Sequence, residues 1–176
     1  GAFVVLPGLW RSDDPRWWRS VLVAYAGAAA VAVAGTLLMV AGLRFLVGIE
    51  VARMPELLGF AALAALSFTA IIQALVALFG SRGWLAALLF LVVQVAASGV
   101  SLTAATVPGP LAILHPFVPL TYAIDAFRGA ITGAASATGL NAAVLVAWLV
   151  AALLVSLAAT AGASMRREAA TSGAAA

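Results

Sequence analysis

The 176-residue chain contains no cysteine and no lysine, a single histidine, and few charges of either sign. Each shortage excludes something. Without cysteine there are no disulfides, no thiolate nucleophile and no Cys-type metal site. One histidine, His115, with few carboxylates near it in sequence, argues against a metal centre. No G-x-x-x-x-G-K-[ST] stretch is present, so the chain is not expected to hydrolyse ATP. No Ser-His-Asp arrangement or G-x-S-x-G elbow is suggested, and "ASG" at Ala97 to Gly99 is not one. The expectation is a chain that is not an enzyme and needs no cofactor. Charged residues make up 9% and hydrophobic ones 65%, with a mean hydropathy of +1.17. A soluble domain carries about 25% charged residues, and a chain of this size cannot hide so much apolar surface from water. Lipid is therefore the expected solvent. A pI of 10.6 would suit nucleic acid, but the nine arginines lie scattered at run ends and form no stripe, which argues against it.

Four charge-free apolar runs remain: residues 21–43, 57–79, 84–102 and 142–164. Each approaches or exceeds the roughly 20 residues a spanning helix needs. In lipid the backbone must satisfy its own polar groups, so these runs read as helices. Alternating β-barrel patterning and repeats are missing. Arginine counting sets an orientation. With the N-terminal segment inside, Arg11, Arg16, Arg19, Arg82, Arg166 and Arg167 are cytoplasmic; Arg44, Arg53 and Arg128 are outside. Trp10, Trp17, Trp18 and Trp84 then sit at the inner interface, where indole rings accumulate. The domain reading follows: residues 1–20 as the end of a preceding helix and a cytoplasmic connector, 21–164 as the membrane domain, and 165–176 as a cytoplasmic tail. Residues 1–6 resemble the cut end of an earlier helix, with a remnant of cloning as the alternative. Asp13 or Asp14 could cap a helix begun by Pro15.

The stretch "LHPFVPLTYAIDAFRGAITG" (114–133) breaks the apolar pattern. Pro119 suits a first helical position. Projected at about 100° per residue, Leu120, Ile124, Phe127 and Ile131 form an apolar face, and Thr121, Asp125, Arg128 and Thr132 a polar stripe. Ala123, Ala126 and Ala130 fill the flank. A helix over 119–132 is too short and too polar to span. It lies at the outer surface with a wet polar face, or it is re-entrant and lines the end of a pathway. Asp125 and Arg128 are spaced i,i+3 and can pair, which would permit partial burial.

These residues resemble a known family. The run His115-Pro116-Phe117-Val118-Pro119-Leu120-Thr121-Tyr122-Ala123-Ile124-Asp125, with Phe127-Arg128 and Gly133, is similar to a signature near the C-terminus of the YhgE/Pip (phage infection protein) family, within the ABC-2-type permease superfamily. "LSFTAIIQALVALFG" (66–80) and "LLFLVVQVAASGVSL" (88–102) resemble that family's preceding helices, and the likeness covers roughly residues 16–164. The resemblance implies six spanning helices, with a large extracytoplasmic domain between the first two. This chain would hold the last four, with a re-entrant element before the last. It also implies a cytoplasmic segment near Arg11, Arg16 and Arg19 able to meet an ATPase, and a place in the bacterial cytoplasmic membrane. The cytoplasmic placement of that segment and the outer-side placement of the re-entrant element agree with the arginine count.

Other polar positions carry two readings each. Gln73 and Gln94 lie about 14 and 18 Å from the "SRG" turn (81–83), near mid-membrane. Thr69 shares a face with Gln73, and Ser98 and Ser101 share one with Gln94. They serve as hydrogen-bonding glue between helices or line a route. Ala24, Ala28, Ala32 and Gly35 form a small-residue ridge suited to close helix packing. His115, which precedes a proline, is expected to shape a turn or to hydrogen-bond locally. The expected function is permease-like transport or export of an unidentified substrate by a homodimer surrounded by lipid. Tyr122, Asp125, Arg128 and His115 would stand at the outer mouth. The alternative is a non-transporting anchor or scaffold, such as a phage-receptor or secretion-apparatus component. A small pore-former is disfavoured because no continuous polar face spans the membrane.

Overall fold

A computed structural model of the chain describes residues 17–98 and 115–174, with side chains over 18–98 and 115–163. Arg11, Arg16, the capping aspartates, residues 1–6 and the 99–102 end of the third run lie outside the described residues, as do the side chains of Arg166 and Arg167. The described residues are helical, with no strand among them. Five helices follow one another: α1 (Trp17–Phe45), α2 (Met54–Phe79), α3 (Gly83–Ala97), α4 (Pro119–Thr132) and α5 (Thr138–Ala174). Three stretches are long and apolar enough to cross a membrane: Trp18–Phe45, Met54–Ala97 and Thr138–Ala163. The second is α2 and α3 taken together, interrupted by the 3-10 turn Gly80–Arg82. α3 is 15 residues, about 22 Å at the helical rise, less than a full bilayer core. α5 continues to Ala174, past the expected break at Ser164.

The turn between α2 and α3 is tight for a local reason. Gly80 takes φ +57°, a conformation that glycine adopts without a Cβ penalty. A Cβ on Gly83 would collide with the Val76 Cα and come within 2.9 Å of the Leu75 carbonyl oxygen. Only a residue without a side chain lets the backbones approach so closely. α2 and α3 therefore form an antiparallel hairpin. The start of α1 and this turn share one end of the bundle, the turn end. Loops 46–53 and 133–137 share the other, the loop end.

α2 is the central helix: it packs against α1, α3, α4 and, most extensively, α5. Two apolar clusters lie along it. Towards the loop end, Phe60 and Ala64 meet Ala123 and Ala126 of α4 and Leu145 of α5. Towards the turn end, Ala70, Ile71 and Ala74 meet Ala152, ringed by Tyr25, Phe90 and Trp148. The Phe90 and Trp148 rings are 6.1 Å apart and tilted by 52°, a favourable aromatic geometry. Between the clusters the buried Ser67 hydroxyl sits 2.8 Å from the Leu63 carbonyl and 2.9 Å from that of Leu145, tying α2 to α5. Outward faces carry Val31, Leu38 and Met39 on α1, Leu88, Leu89 and Val92 on α3, and Val150 and Leu154 on α5, all exposed. An apolar exterior around an interior with hydrogen-bonded polar groups is what lipid as a solvent selects.

Candidate functional site

α4 starts where the sequence signals it. Val118 is extended and Pro119 opens the helix, where a missing N–H costs nothing. Gly133, at φ +74°, closes it with its N–H on the Gly129 carbonyl 3.0 Å away. The His115–Phe117 turn precedes it. His115 Nδ1 lies 2.8 Å from the Ala97 carbonyl and so joins this turn to the last turn of α3. Thr121 Oγ1 donates to the His115 carbonyl at 3.2 Å, and the Tyr122 hydroxyl to that of Pro116 at 2.7 Å. These three residues therefore fix the entry into α4.

Gln94 holds the N-terminus of α4. Its side chain is 1% exposed, and its Oε1 accepts the Leu120 N–H at 3.2 Å. The partner at the other end is Arg53. Its backbone N–H donates to the Ala130 carbonyl at 2.9 Å. Its Nη2 donates to the carbonyls of Gly129 (2.7 Å) and Ala134 (2.6 Å). Its Nη1 pairs with Glu56 at 3.0 Å. Glu56 Oε1 then accepts from Thr138 Oγ1 at 3.1 Å, at the start of α5. One ion pair thus gathers the N-termini of α2 and α5 and the C-terminus of α4.

These anchors set the attitude of α4. Gln94 lies about 18 Å along the hairpin from Arg82, and Arg53 about 39 Å from Phe79 at the helical rise. The anchored stretch, Leu120 to Ala130, is about 15 Å long at the helical rise, and with Ala123 and Ala126 against Phe60 and Ala64 α4 runs lengthwise beside α2.

The buried face of α4 differs from the projected one. Pro119, Ala123, Ala126, Gly129 and Ala130 are buried. Leu120 and Ile124 are only half-buried and Ile131 is exposed, although Phe127 does pack at the margin of the cluster. Small side chains win the inner position because they let the α4 backbone approach α2 and α5 closely. Of the large apolar ones only Ile131 is exposed; Leu120, Ile124 and Phe127 take the half-buried margins.

The expected Asp125–Arg128 pair does not form. Both side chains are exposed, and Asp125 Oδ2 instead accepts from Asn141 Nδ2 of α5 at 2.7 Å. Asn141 is 2% exposed, so its amide is held in place and competes well for the carboxylate. Of the three i,i+3 acid–base couples among the described residues at this end, Glu50/Arg53, Arg53/Glu56 and Asp125/Arg128, only Arg53–Glu56 closes. Among the described residues no group of three or more His, Asp or Glu could hold a metal.

The remaining polar candidates are engaged in the scaffold. Gln73, half-buried, donates from Nε2 to the Val21 carbonyl of α1 at 3.1 Å. Tyr25 of α1 donates to the Leu66 carbonyl of α2 at 3.1 Å. Thr69 and Ser98 bond within their own helices, to Ala65 and Val95. Arg19 lies 5.8 Å from the Trp18 ring centroid, at the turn end. Sequence reasoning does not reach Arg53, Glu56, Thr138 or Asn141 as site residues. The Arg53/Glu56 spacing is a readable signal, but Asn141 reads only as the end of a connection.

The chain is similar to the uncharacterized protein YhgE of Bacillus subtilis (strain 168), with 34% identity over 86 residues. That match covers 49% of this chain and 11% of the Bacillus protein, so the chain spans a small part of the relative's length. No family model matches the chain, and no solved structure matches it.

Proposed function

We propose that the chain is the membrane-embedded part of a YhgE/Pip-type, ABC-2-permease-like protein that transports or exports an unidentified substrate. On this reading α1, α2, α3 and α5 are four spans, and α4 is a re-entrant half-helix on the extracytoplasmic side. Both chain ends face the cytoplasm of a bacterial cell, and two copies assemble. An ATPase subunit or a secretion partner would engage the segment near Arg11, Arg16 and Arg19. The observation that carries the reading is the upright stance of α4. A short helix packed lengthwise beside two longer ones, anchored by Gln94 inside the bundle, is costly as surface decoration and sensible as the wall of a route. The similarity to YhgE supports the family half of the proposal. Tyr122, Asp125 and Arg128 would then border the outer mouth, with His115 shaping its base.

A second reading is favoured by a specific observation. Gln73 and Gln94 both spend a hydrogen bond on neighbouring helices, as glue would. A dry bundle of this kind suits a membrane anchor for an outside domain. The absence of cysteine from the sequence makes the test direct. Asp125, Gln73 and Gln94 are each replaced by Cys in cells and challenged with a membrane-impermeant thiol reagent. Transport predicts labelling at Asp125→Cys from outside and slower labelling at Gln73→Cys and Gln94→Cys through a hydrated route. The anchor predicts labelling at Asp125→Cys alone. If a cysteine placed at Ala174 reacts from the same side as Asp125→Cys, both readings fail.

A further inference from the structure

α4 is held by two unlike grips. At its N-terminus the bond from Leu120 to Gln94 is partly buried and lands on a side chain that is 1% exposed. Breaking it would leave the Gln94 amide, whose Nε2 already has no partner among the described residues, without a hydrogen bond in a buried place, which carries a desolvation penalty. At its C-terminus the side-chain grip is ionic and partly wet: the Arg53 side chain is 38% exposed and that of Glu56 18%, and the bond to Ala134 is exposed. Two backbone bonds, from the Ala52 N–H to Ile131 (3.1 Å) and from the Arg53 N–H to Ala130 (2.9 Å), accompany it and would have to open with it. Bonds open to water or headgroups exchange partners at small net cost. Between the grips the inner face of α4 is a row of small residues, Ala123, Ala126 and Ala130, the first two packed on Phe60, Ala64 and Leu145. Gly129 seats against Ser136 of the following loop, where an added Cβ would fall 2.6 Å from the Ser136 Cβ.

The geometry points to Arg53 and Glu56 as a releasable latch, from which the C-terminal end of α4 swings outward about its Gln94-anchored N-terminus and uncovers the Phe60–Ala64 face of α2. Arg53 is suited to the role because one guanidinium bridges two carbonyls and a carboxylate at once, which a lysine ammonium cannot do with the same fixed geometry. The latch rests on the proposed function and deepens it by naming the moving part. Its test reads helix motion alone, so a stationary α4 would refute the latch whether or not the chain transports.

Cysteines are placed singly at Ala123, Ala126 and Ala130 in the full chain in lipid nanodiscs, with Arg53 intact or replaced by Ala. With Arg53 intact, all three thiols should be protected from a small thiol reagent. Arg53→Ala should raise the labelling rate at Ala130→Cys about tenfold or more, because labelling follows the population of the locally open form. Ala126→Cys should respond less and Ala123→Cys hardly at all. Arg53→Lys should fall between the two, and Glu56→Gln should follow Arg53→Ala in direction. Circular dichroism of each variant should keep the full helix signal. Equal exposure of all three positions would overturn the pivot, as would unchanged protection at Ala130→Cys with the helix signal retained. Should Arg53→Ala unfold, Arg53→Lys and Glu56→Gln decide by the same gradient.

Discussion

The choice of partner by Asp125 can be measured. The carboxylate accepts from Asn141 at 2.7 Å, short enough for a charge-assisted bond. The two ends are unequal. Asn141 is 2% exposed and Asp125 is exposed. Asp125→Ala therefore strands a buried amide and should cost about 1–3 kcal/mol. Asn141→Ala frees a carboxylate that finds water or headgroups, and should cost less, about 0.5–1.5 kcal/mol. The coupling between them should be near ~1 kcal/mol, within the range of roughly 0.6 average and 1.7 maximum for polar pairs between membrane helices. Asp125→Asn keeps an acceptor without the charge and should recover about half of the loss. Arg128→Ala should change stability by less than about 0.5 kcal/mol, with no coupling to Asp125. The assay is reversible unfolding in mixed micelles, followed by helix signal, for the four members of each cycle. A coupling between Asp125 and Arg128 as large as that between Asp125 and Asn141 would refute the reasoning.

Other outcomes follow from named contacts and are read by the same titration. Gly83→Ala should cost at least about 2 kcal/mol, because its Cβ meets backbone atoms of Val76 and Leu75 that cannot yield. Gly162→Ala, where nothing lies within 4 Å of an added Cβ, should be neutral or gain up to about 1 kcal/mol from helix propensity; reversal of this order would undo the account of the turn. Ser67→Ala should cost only about 0.6 kcal/mol, since the Leu63 and Leu145 carbonyls keep their helical partners. Gln94→Leu should cost more, about 1–2 kcal/mol, because the half-buried Leu120 N–H loses its acceptor. Equal costs for the two would remove the special status of Gln94.

The helices were legible because lipid imposes a simple rule: a charge-free run closes its own hydrogen bonds. Hence 21–43 lies within α1 and 57–79 within α2. Pro119 marked the start of α4 for a conformational reason, and the structure adds the reason for its end, the left-handed Gly133. The inward face of α4 was not legible, because a hydrophobicity projection assumes that water drives the large apolar residues inside. In lipid those residues are at home outside, and closeness of approach selects the alanines. The polar partnerships were legible only as options. Arg53/Glu56 and Asp125/Arg128 have the same spacing and opposite fates, decided by residues distant in sequence. Thr138 and the α4 carbonyls draw in the first couple, and Asn141 divides the second. Gln94 was marked as polar and mid-bundle, but its role needed the return of α4 to its side.

The two grips on α4 obey one electrostatic logic. A helix carries about half a positive charge at its N-terminus and half a negative charge at its C-terminus, from unsatisfied N–H and C=O groups. In water these ends are solvated; beside a lipid core they need partners of opposite character. Gln94 brings a carbonyl oxygen to the first and Arg53 a cation to the second. Gln94 stands on α3 and Arg53 at the head of α2, so a single folded hairpin supplies both ends of the helix it carries. Exchanging the two residue types would place a cation at the donor end and a neutral amide at the acceptor end. That arrangement keeps the composition and loses both grips, so the stance of α4 depends on where in the chain these two side chains stand.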